Sequence, residues 1–280
     1  MESEKLPTFI KNVQKDPSHG HLYDLLLPCG NKVTIREQNG NDDDIISSFN
    51  KGEIESNPFN RFVASLIVKH DFPFTKNEKL SINDVLQIPL RSKYFIIIAS
   101  RIFSIGETLI FEWDWKNGDK PVEYEDNLSD YLWDYEITFP EPGDPLYHKE
   151  RIKPYTKRKE EGVDAEHIFD RVFELNSGKI VKFNLMNGKG ENYLLKLPIE
   201  KRSANAELKA RDLSIWIEDK YIKIETFKGF TSREMAEIRR VVDSQDSVFD
   251  GLTTIENPYS GEESQLPLLH IPDFFFPREI

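Results

Sequence analysis

Leu25-Leu-Leu-Pro-Cys-Gly30-Asn-Lys-Val-Thr-Ile-Arg-Glu-Gln-Asn39-Gly40, near the start of the chain, has a counterpart past the middle, Val172-Phe-Glu-Leu-Asn-Ser-Gly178-Lys-Ile-Val-Lys-Phe-Asn-Leu-Met-Asn187-Gly188. Each copy consists of an apolar strand, a glycine turn, an alternating strand and an Asn-Gly pair, which is typical of a β-hairpin. The two glycines lie ten residues apart in both copies (40 − 30 and 188 − 178). This repetition predicts that one structural unit is built twice.

A second pair of matching stretches follows the first. Thr108-Leu-Ile-Phe-Glu-Trp-Asp-Trp-Lys-Asn117-Gly118 corresponds to Leu252-Thr-Thr-Ile-Glu-Asn-Pro-Tyr-Ser260-Gly261. The distance from the first glycine to the last is 88 residues in one copy (118 − 30) and 83 in the other (261 − 178). We therefore predict an α+β fold of two similar modules, each a β-hairpin or small antiparallel sheet with packed helices, that arose by internal duplication.

Capping residues and apolar spacing predict helices between the hairpins. The acidic turn Asp42–Asp44 marks one helix start, and a capping box at Thr231 marks another. The predicted helices extend from Asp42 to Phe49, Phe59 to Ile67, Ile82 to Gln87, Arg91 to Phe103, Ala204 to Trp216 and Thr231 to Ser244. Strands are expected at Tyr193 to Leu197 and from Ile222, and a hairpin tip at Gly188 to Gly190.

The two modules are assigned to residues 21–118 and 166–280, which leaves two other segments. Residues 1–20 are polar and are predicted to form a flexible N-terminal arm. Residues 119–165 are predicted to be an irregular insertion or linker, because the prolines of 139–145 disfavour a helix or a central strand. The charge run 149–161 is expected to be solvated, and the alternative is a docking strip for an acidic partner.

The composition narrows the class of protein. A net charge of −12 and a pI of about 5.1 argue against a nucleic-acid partner, which requires a basic surface. A single cysteine, Cys29, excludes an internal disulfide framework and is typical of a reducing compartment. The longest apolar run, Tyr94 to Ala99, is too short for a membrane span, and the chain start has no apolar signal region. We expect a protein made in a cytosol, with no membrane partner.

Two turns have the frame of a zinc knuckle but lack its ligands. Asp114 and Asn117 in the first turn, and Asn257 and Ser260 in the second, stand where two cysteines would be three residues apart. Zinc needs three or four convergent ligands, and no thiolate is present at either turn. We predict β-turns without a metal, and leave open whether they once held zinc or were always turns.

The sequence offers no set of catalytic residues. It has neither a Gly-x-Ser-x-Gly nucleophile elbow nor a glycine-rich phosphate loop. The consecutive Asp42, Asp43 and Asp44 fan around a helix start and lack calcium-loop spacing. We therefore predict a protein that is not an enzyme, with no cofactor and no small-molecule substrate.

Aromatic residues are the candidates for partner binding. Trp113 and Trp115 lie at the first knuckle-like turn, and Phe274, Phe275 and Phe276 are consecutive near the C-terminus. Side chains alternate along an extended chain, so three consecutive rings cannot all face one core. Pro272 and Pro277 are expected to hold this segment extended. We predict that at least one ring contacts a partner, and the alternative is that the rings fill the core.

The motifs along the chain resemble a known family. They are a hairpin with Leu27-Pro-x-Gly-x-x-Val, then Leu80-x-x-x-Asp-Val-Leu, then Arg91-x-x-x-Phe-Ile-Ile-Ile-Ala-Ser-Arg-Ile-Phe-Ser-Ile-Gly106, Leu109-Ile-Phe-Glu-Trp-Asp-Trp, and Phe173-x-Leu-x-Ser-Gly-Lys-Ile-x-x-Phe. Together they are similar to the base plate proteins, or baseplate hub assembly chaperones, of T-even-like contractile-tailed bacteriophages. The similarity covers most of residues 22–118 and 168–277. Members of that family often carry cysteine pairs at the two knuckle-like turns, where this chain does not.

The resemblance implies a function in virion assembly through protein–protein interaction. Such a protein would be made in the host bacterial cytoplasm and would bind other tail and baseplate proteins during hub assembly. It would act as an assembly chaperone, or as a structural component located in the virion baseplate. The alternative hypothesis is an intracellular protein-binding adaptor with two similar docking modules. An enzyme is the least favoured class.

Overall fold

The chain adopts an α+β fold with small antiparallel sheets and packed helices, as predicted. The computed structural model describes residues 10–16, 20–47, 57–115, 120–133, 170–246 and 251–277. The predicted linker residues 134–165, the turn residue Asn117 and residues 1–9 of the predicted arm lie outside these ranges.

The described residues form twelve strands and nine helices. The strands are β1 (Ile10–Asp16), β2 (Gly20–Leu26), β3 (Lys32–Arg36), β4 (Ile67–His70), β5 (Thr108–Trp113), β6 (Val122–Asn127), β7 (Asp170–Glu174), β8 (Ile180–Asn184), β9 (Ser214–Ile217), β10 (Lys220–Lys223), β11 (Leu252–Glu256) and β12 (Glu263–Pro267). The helices are α1 (Gly40–Ser47), α2 (Asn57–Leu66), α3 (Ile82–Val85), α4 (Leu90–Ile105), α5 (Asp130–Trp133), α6 (Gly188–Leu195), α7 (Ala204–Ala210), α8 (Ser232–Gln245) and α9 (Pro272–Phe275). Short 3₁₀ turns lie at Ile199–Lys201, Phe227–Gly229 and Leu268–His270.

Two four-stranded sheets organise the two halves of the chain. The first sheet has the order β1-β2-β3-β4, and the second has the order β10-β9-β8-β7. Residues 10–16, which the sequence assigned to an N-terminal arm, therefore form an edge strand beside β2. The strand pairs β5-β6 and β11-β12 each form a separate two-stranded sheet.

The halves share a hairpin, two following helices and the next strand in the same order, but β1 has no counterpart in the second half and β10 has none in the first. β3 and α1 begin at residues 32 and 40, and β8 and α6 begin at residues 180 and 188, which is an offset of 148 in both cases (180 − 32 and 188 − 40). Both hairpin turns place a glycine at positive φ, Gly30 at 91° and Gly178 at 85°. Each of these glycine amides donates to a leucine carbonyl three residues earlier at 2.8 Å. This common order supports internal duplication, which remains a prediction.

The hydrophobic cores do not follow the predicted module boundaries. One core contains β7, β8, α7 and α8, with Phe173, Val181, Phe183 and Ile238 among its buried side chains. The other core belongs to the first half, yet it also includes residues of β11, β12 and α9. Residues 251–277 were assigned to the second module, but their apolar side chains pack with α2, α4 and β5 of the first half. The β11-β12 hairpin therefore follows the second half in sequence but packs in the core of the first half.

The capping box predicted at Thr231 is confirmed, whereas the helix start predicted at Asp42 was wrong, because α1 begins at Gly40. Ser81 and Thr231 each form a capping box at the start of α3 and α8. The long apolar helix α4 ends at Gly106, as its sequence indicated, and α2 covers the predicted aromatic spacing from Phe59. Among the described helices, none has both the length and the apolar character needed to cross a bilayer.

Several predictions for the second half were wrong. Residues 188–195 form helix α6, where a hairpin tip and then a strand from Tyr193 were expected. The Asn187 side chain accepts hydrogen bonds from the amides of Lys189 and Gly190, so it caps this helix in spite of the two glycines. Helix α7 ends at Ala210, and the residues predicted to continue it form strand β9.

Two further segments also differ from the prediction. Within the predicted linker, residues 122–127 pair with β5 as β6 and residues 130–133 form α5. The C-terminal phenylalanines lie in and after a helical turn, because Pro272 occupies the first turn of α9, where it needs no amide donor. The expected extended conformation of this segment was therefore wrong.

The packing predicts unequal roles for the three rings. Phe274 is fully buried and Phe276 is 42% exposed. Phe274→Ala is expected to lower the free energy of unfolding by about 3–5 kcal/mol, because it leaves a cavity in the shared core. Phe276→Ala is the matched control, with an expected change of about 0.5 kcal/mol or less. Urea unfolding of the two variants measures both values, and equal losses would contradict this packing.

Candidate functional site

The second knuckle-like turn, at Asn257 to Gly261, is a hydrogen-bonded turn. Asn257 is buried, and its side-chain oxygen accepts from the amides of Tyr259 at 2.9 Å and Ser260 at 3.4 Å. The Gly261 amide donates to the Asn257 carbonyl at 2.8 Å, which closes the turn. Asp114 is exposed just after β5. No group of three or more His, Cys, Asp or Glu side chains with metal-site geometry occurs in the part of the chain that the structure describes.

The predicted partner-binding aromatics are divided between the core and the surface. Trp113 and Trp115 are half-buried against the first core, while Phe274 and Phe275 belong to it. The Trp115 Nε1–H donates to the Tyr124 hydroxyl at 2.9 Å, and that hydroxyl donates to the carbonyl of Glu256 at 2.9 Å. This chain of hydrogen bonds joins the β5-β6 hairpin to the β11-β12 hairpin. Trp115 therefore has a structural contact, and Phe276 is the most exposed of the three phenylalanines.

A polar cleft of about 830 Å³ lies over the outer face of the second sheet. Side chains alternate along strands, so the residues opposite the buried Phe173, Val181 and Phe183 point away from the second core. The cleft is bounded by this outer face, by the start of α6, by the end of α7 and by the segment around Phe74 of the first half. Its polar lining includes the side chains of Asp170, Asn184, Lys189, Lys209, Asp212, Lys223 and Glu225.

In the first half, the corresponding place is filled by a buried ion pair. The Arg36 guanidinium donates two hydrogen bonds to the Asp42 carboxylate, at 2.7 and 2.9 Å. The Ser65 hydroxyl donates to the same carboxylate at 2.8 Å, and the Asn39 amide at 2.9 Å. Burial alone would raise the pKa of Asp42, but these hydrogen bonds outweigh it and the pKa is lowered. The result is a closed, satisfied cluster.

The second half lacks this cluster. The offset of 148 places Asn184 at the position of Arg36 and Gly190 at that of Asp42 (184 − 36 and 190 − 42). Asp212 lies two residues before β9, as Ser65 lies two residues before β4. All three of these residues line the cleft. A short amide and a glycine cannot rebuild the ion pair, so the second half lacks this charged cluster. The first half is not closed, however, because a pocket of about 1220 Å³ lies beside Arg36 and Ser65.

The charged side chains of the cleft differ in whether they are already paired. Lys182 contacts Asp170 at 2.9 Å, and Lys223 forms an ion pair with Asp212. Lys189 and Lys209 have no carboxylate partner among the described residues. Lys209 only faces the ring of Phe227, at 6.0 Å from its centroid. Lys189 and Lys209 are therefore unpaired positive charges of the cleft, whose lining also includes the exposed carboxylate of Glu225.

An aromatic pair extends the same face toward the tip of the β9-β10 hairpin. Trp216 and Tyr221 are paired across the strands, with ring centroids 4.7 Å apart in an edge-to-face arrangement. The Lys182 ammonium lies 4.8 Å from the Tyr221 ring centroid, which is favourable cation–π geometry. Glu218 and Asp219, at φ of 48° and 61°, form the two-residue turn beyond. Trp216 remains 39% exposed.

A buried lysine lies where α4 meets α6. The Lys93 ammonium donates to the Asn60 side chain at 3.2 Å. A Cβ atom at Gly188 would lie 3.0 Å from this ammonium and 2.7 Å from the Leu86 side chain, so a larger residue there would require these side chains to shift. The Leu90 amide also donates to the Met186 carbonyl at 2.8 Å. These contacts hold the start of α4 against the start of α6, beside the part of the cleft that residues of the first half line.

Comparison with models of protein families, with curated proteins and with solved structures gave no match to this chain. The candidate site is therefore described from the geometry of this chain, without reference to a related protein. Sequence reasoning missed the cleft because none of its residues forms a motif. Aligning the two hairpins position by position gives the available signal, since Arg36 and Asp42 are replaced by Asn184 and Gly190.

Lys93 predicts a pH-dependent stability. Burial lowers its pKa to about 8, with Glu191 opposing, whereas an unfolded lysine titrates near 10.4. At pH 7 the folded state holds this charge at a cost, so Lys93→Met is expected to raise the free energy of unfolding by about 1–3 kcal/mol. Between about pH 8 and 10.4 the unfolded state binds a proton that the folded state has lost, so the free energy of unfolding of the wild-type protein rises with pH. The difference in free energy of unfolding between Lys93→Met and wild type therefore narrows over this range.

Urea unfolding of wild type and the Lys93→Met variant at pH 7 and pH 10 measures this difference directly. Lys69→Met is the control, because Lys69 is an exposed lysine of β4 and its difference from wild type should not change with pH. A Lys93→Met variant that is less stable than wild type at pH 7, or a difference that does not narrow, would contradict the account.

Proposed function

We propose that the protein acts by binding other proteins during assembly of a phage tail baseplate, at its hub, as an assembly chaperone or a structural component. The motifs of residues 22–118 and 168–277, similar to those of the baseplate hub assembly family, provide the link to that process. The observation that carries the binding role is the open cleft beside the exposed aromatic hairpin. Its place of action would be the host bacterial cytoplasm, with the virion baseplate as a second location.

The chemistry of the cleft favours binding over catalysis. Asp170 and Asp212 each form an ion pair with a lysine of the protein, Lys182 and Lys223. A general acid or base needs a group free to exchange a proton with a substrate. Paired charges next to an exposed aromatic surface are instead common where one polypeptide recognises another.

The difference between the two halves bears on the alternative of an adaptor with two similar docking modules. The Arg36–Asp42 pair gives the first half a charged cluster that the second half lacks, and each half has its own pocket. Equal docking on both modules would require similar surfaces on both. The exposed Trp216 and its partner Tyr221 lie on the second half, which favours the second half as the docking face.

Conditional disruption of the gene tests the proposed function. In phage-producing cells without the protein, electron microscopy is expected to show filled heads and no complete baseplates. Restoring the wild-type gene should restore tails. Mass spectrometry of purified particles then separates the two roles, because a structural component is retained and a chaperone is not. Normal tails in the absence of the protein would reject the proposal.

A further inference from the structure

We propose that the cleft over the outer face of the second sheet binds an acidic polypeptide segment of a partner protein. Carboxylates of that segment would contact Lys189 and Lys209, and its apolar side chains would pack on Trp216 and Tyr221. This inference rests on the proposed function, because it names the chemistry of the partner in assembly. It also names the side of the molecule at which the partner binds.

The distribution of charge supports an acidic partner. Residues 170–246 contain 15 Lys and Arg against 13 Asp and Glu, a net charge of +2 (15 − 13). The whole chain carries −12, so the remaining residues carry −14 (−12 − 2). The cleft therefore lies mainly in a part of the chain whose net charge is slightly positive, although the chain as a whole is acidic. Charge complementarity of this kind orients a partner and speeds its association.

The paired and unpaired groups indicate where the partner's carboxylates bind. Asp170 and Asp212 are neutralised by Lys182 and Lys223. Lys189 is exposed at the start of α6, and Lys209 is half-buried at the end of α7. Each can accept a carboxylate without breaking an existing ion pair. The positive end of the α6 dipole adds to the attraction, although its first amides are already capped by Asn187.

The aromatic pair supplies the apolar part of the surface. Trp216 and Tyr221 hold each other in an edge-to-face contact on the solvent side of the sheet. Trp is among the residues that contribute most to protein interfaces, because it is large and its ring is rigid. The pair lies beside Lys182, which links it to the charged floor of the cleft. A partner segment that alternates acidic and apolar side chains matches this order of lysines and rings.

Nucleic acid is the less favoured ligand. A single strand would bring one phosphate per nucleotide, and exposed carboxylates lie at the hairpin tip, at Glu218 and Asp219, and in the cleft, at Glu225. These groups would repel a continuous chain of phosphates. A polypeptide can place its acidic residues at the two unpaired lysines and neutral residues elsewhere.

Fluorescence anisotropy with the full chain tests the inference. The probe is a short fluorescein-labelled peptide in which Glu alternates with Phe, compared with a matched peptide of Lys and Phe and with a labelled single-stranded oligonucleotide. The Glu peptide is expected to bind, more weakly at high salt, and the other two probes to bind at least about tenfold more weakly. Tighter binding of the oligonucleotide, or no binding of the Glu peptide, would overturn the inference.

Matched variants locate the binding surface. The double variant Lys189→Glu/Lys209→Glu is expected to weaken Glu-peptide binding about tenfold or more, because it reverses both unpaired charges. The control Lys32→Glu/Lys69→Glu makes the same change in net charge on exposed residues of the first sheet, with an expected effect below about twofold. Thermal melting checks that both variants are folded. Equal weakening by both variants would show attraction without a site, and would overturn the inference.

The outcomes separate this inference from the proposed function. If gene disruption blocks tail assembly but the Glu peptide does not bind, the assembly role stands and the cleft is not the docking surface. If the peptide binds at the cleft but tails assemble without the protein, the cleft is a docking surface that serves another process.

Discussion

The arrangement of the chain depends on the hydrogen bonds of the Arg101 guanidinium, which is buried inside the first core. It is 1% exposed, and it donates to the carbonyls of Phe274 at 2.5 Å, Gly106 at 2.6 Å and Thr108 at 3.4 Å. Burial lowers the pKa of this guanidinium, which still remains charged and therefore needs acceptors. Those acceptors come from the end of α4, the start of β5 and the C-terminal helix α9. One side chain thus ties the last residues of the chain to its first half.

The docking of the C-terminus makes the two cores unequal. With β11, β12 and α9 packed in the first core, residues 170–246 retain a smaller core on one side of the second sheet. The two halves also differ in the side chains between sheet and helix. In the first half, Arg36 and Asp42 form a buried ion pair. In the second half, Asn184 and Gly190 cannot form one, and α6 approaches so closely that a Cβ at Gly190 would lie 2.6 Å from the Ala210 carbonyl oxygen.

The sequence predicted the features that local chemistry controls. Capping boxes at Ser81 and Thr231, the glycine turns and the apolar helix α4 depend on residues within a few positions of one another. The sequence did not predict helix α6, because Gly188 and Gly190 are poor helix formers. Both positions are in close contact with residues distant in the sequence, which favours glycine there. The links from Arg101 to Phe274 and from Tyr124 to Glu256 span more than a hundred positions, so no local pattern reports them. The cleft arises from side chains that are short or missing, which no motif search detects.

Native-state hydrogen exchange tests most directly whether the C-terminal hairpin folds with the first half. The account predicts that the amides of Ile255 and Phe274 open with the same free energy and denaturant dependence as those of Val33 and Phe95, which share their core. The amides of Ile238 and Val241 in α8 belong to the second core and should form a separate group. Exchange of Ile255 and Phe274 together with α8, independently of Val33 and Phe95, would contradict the account.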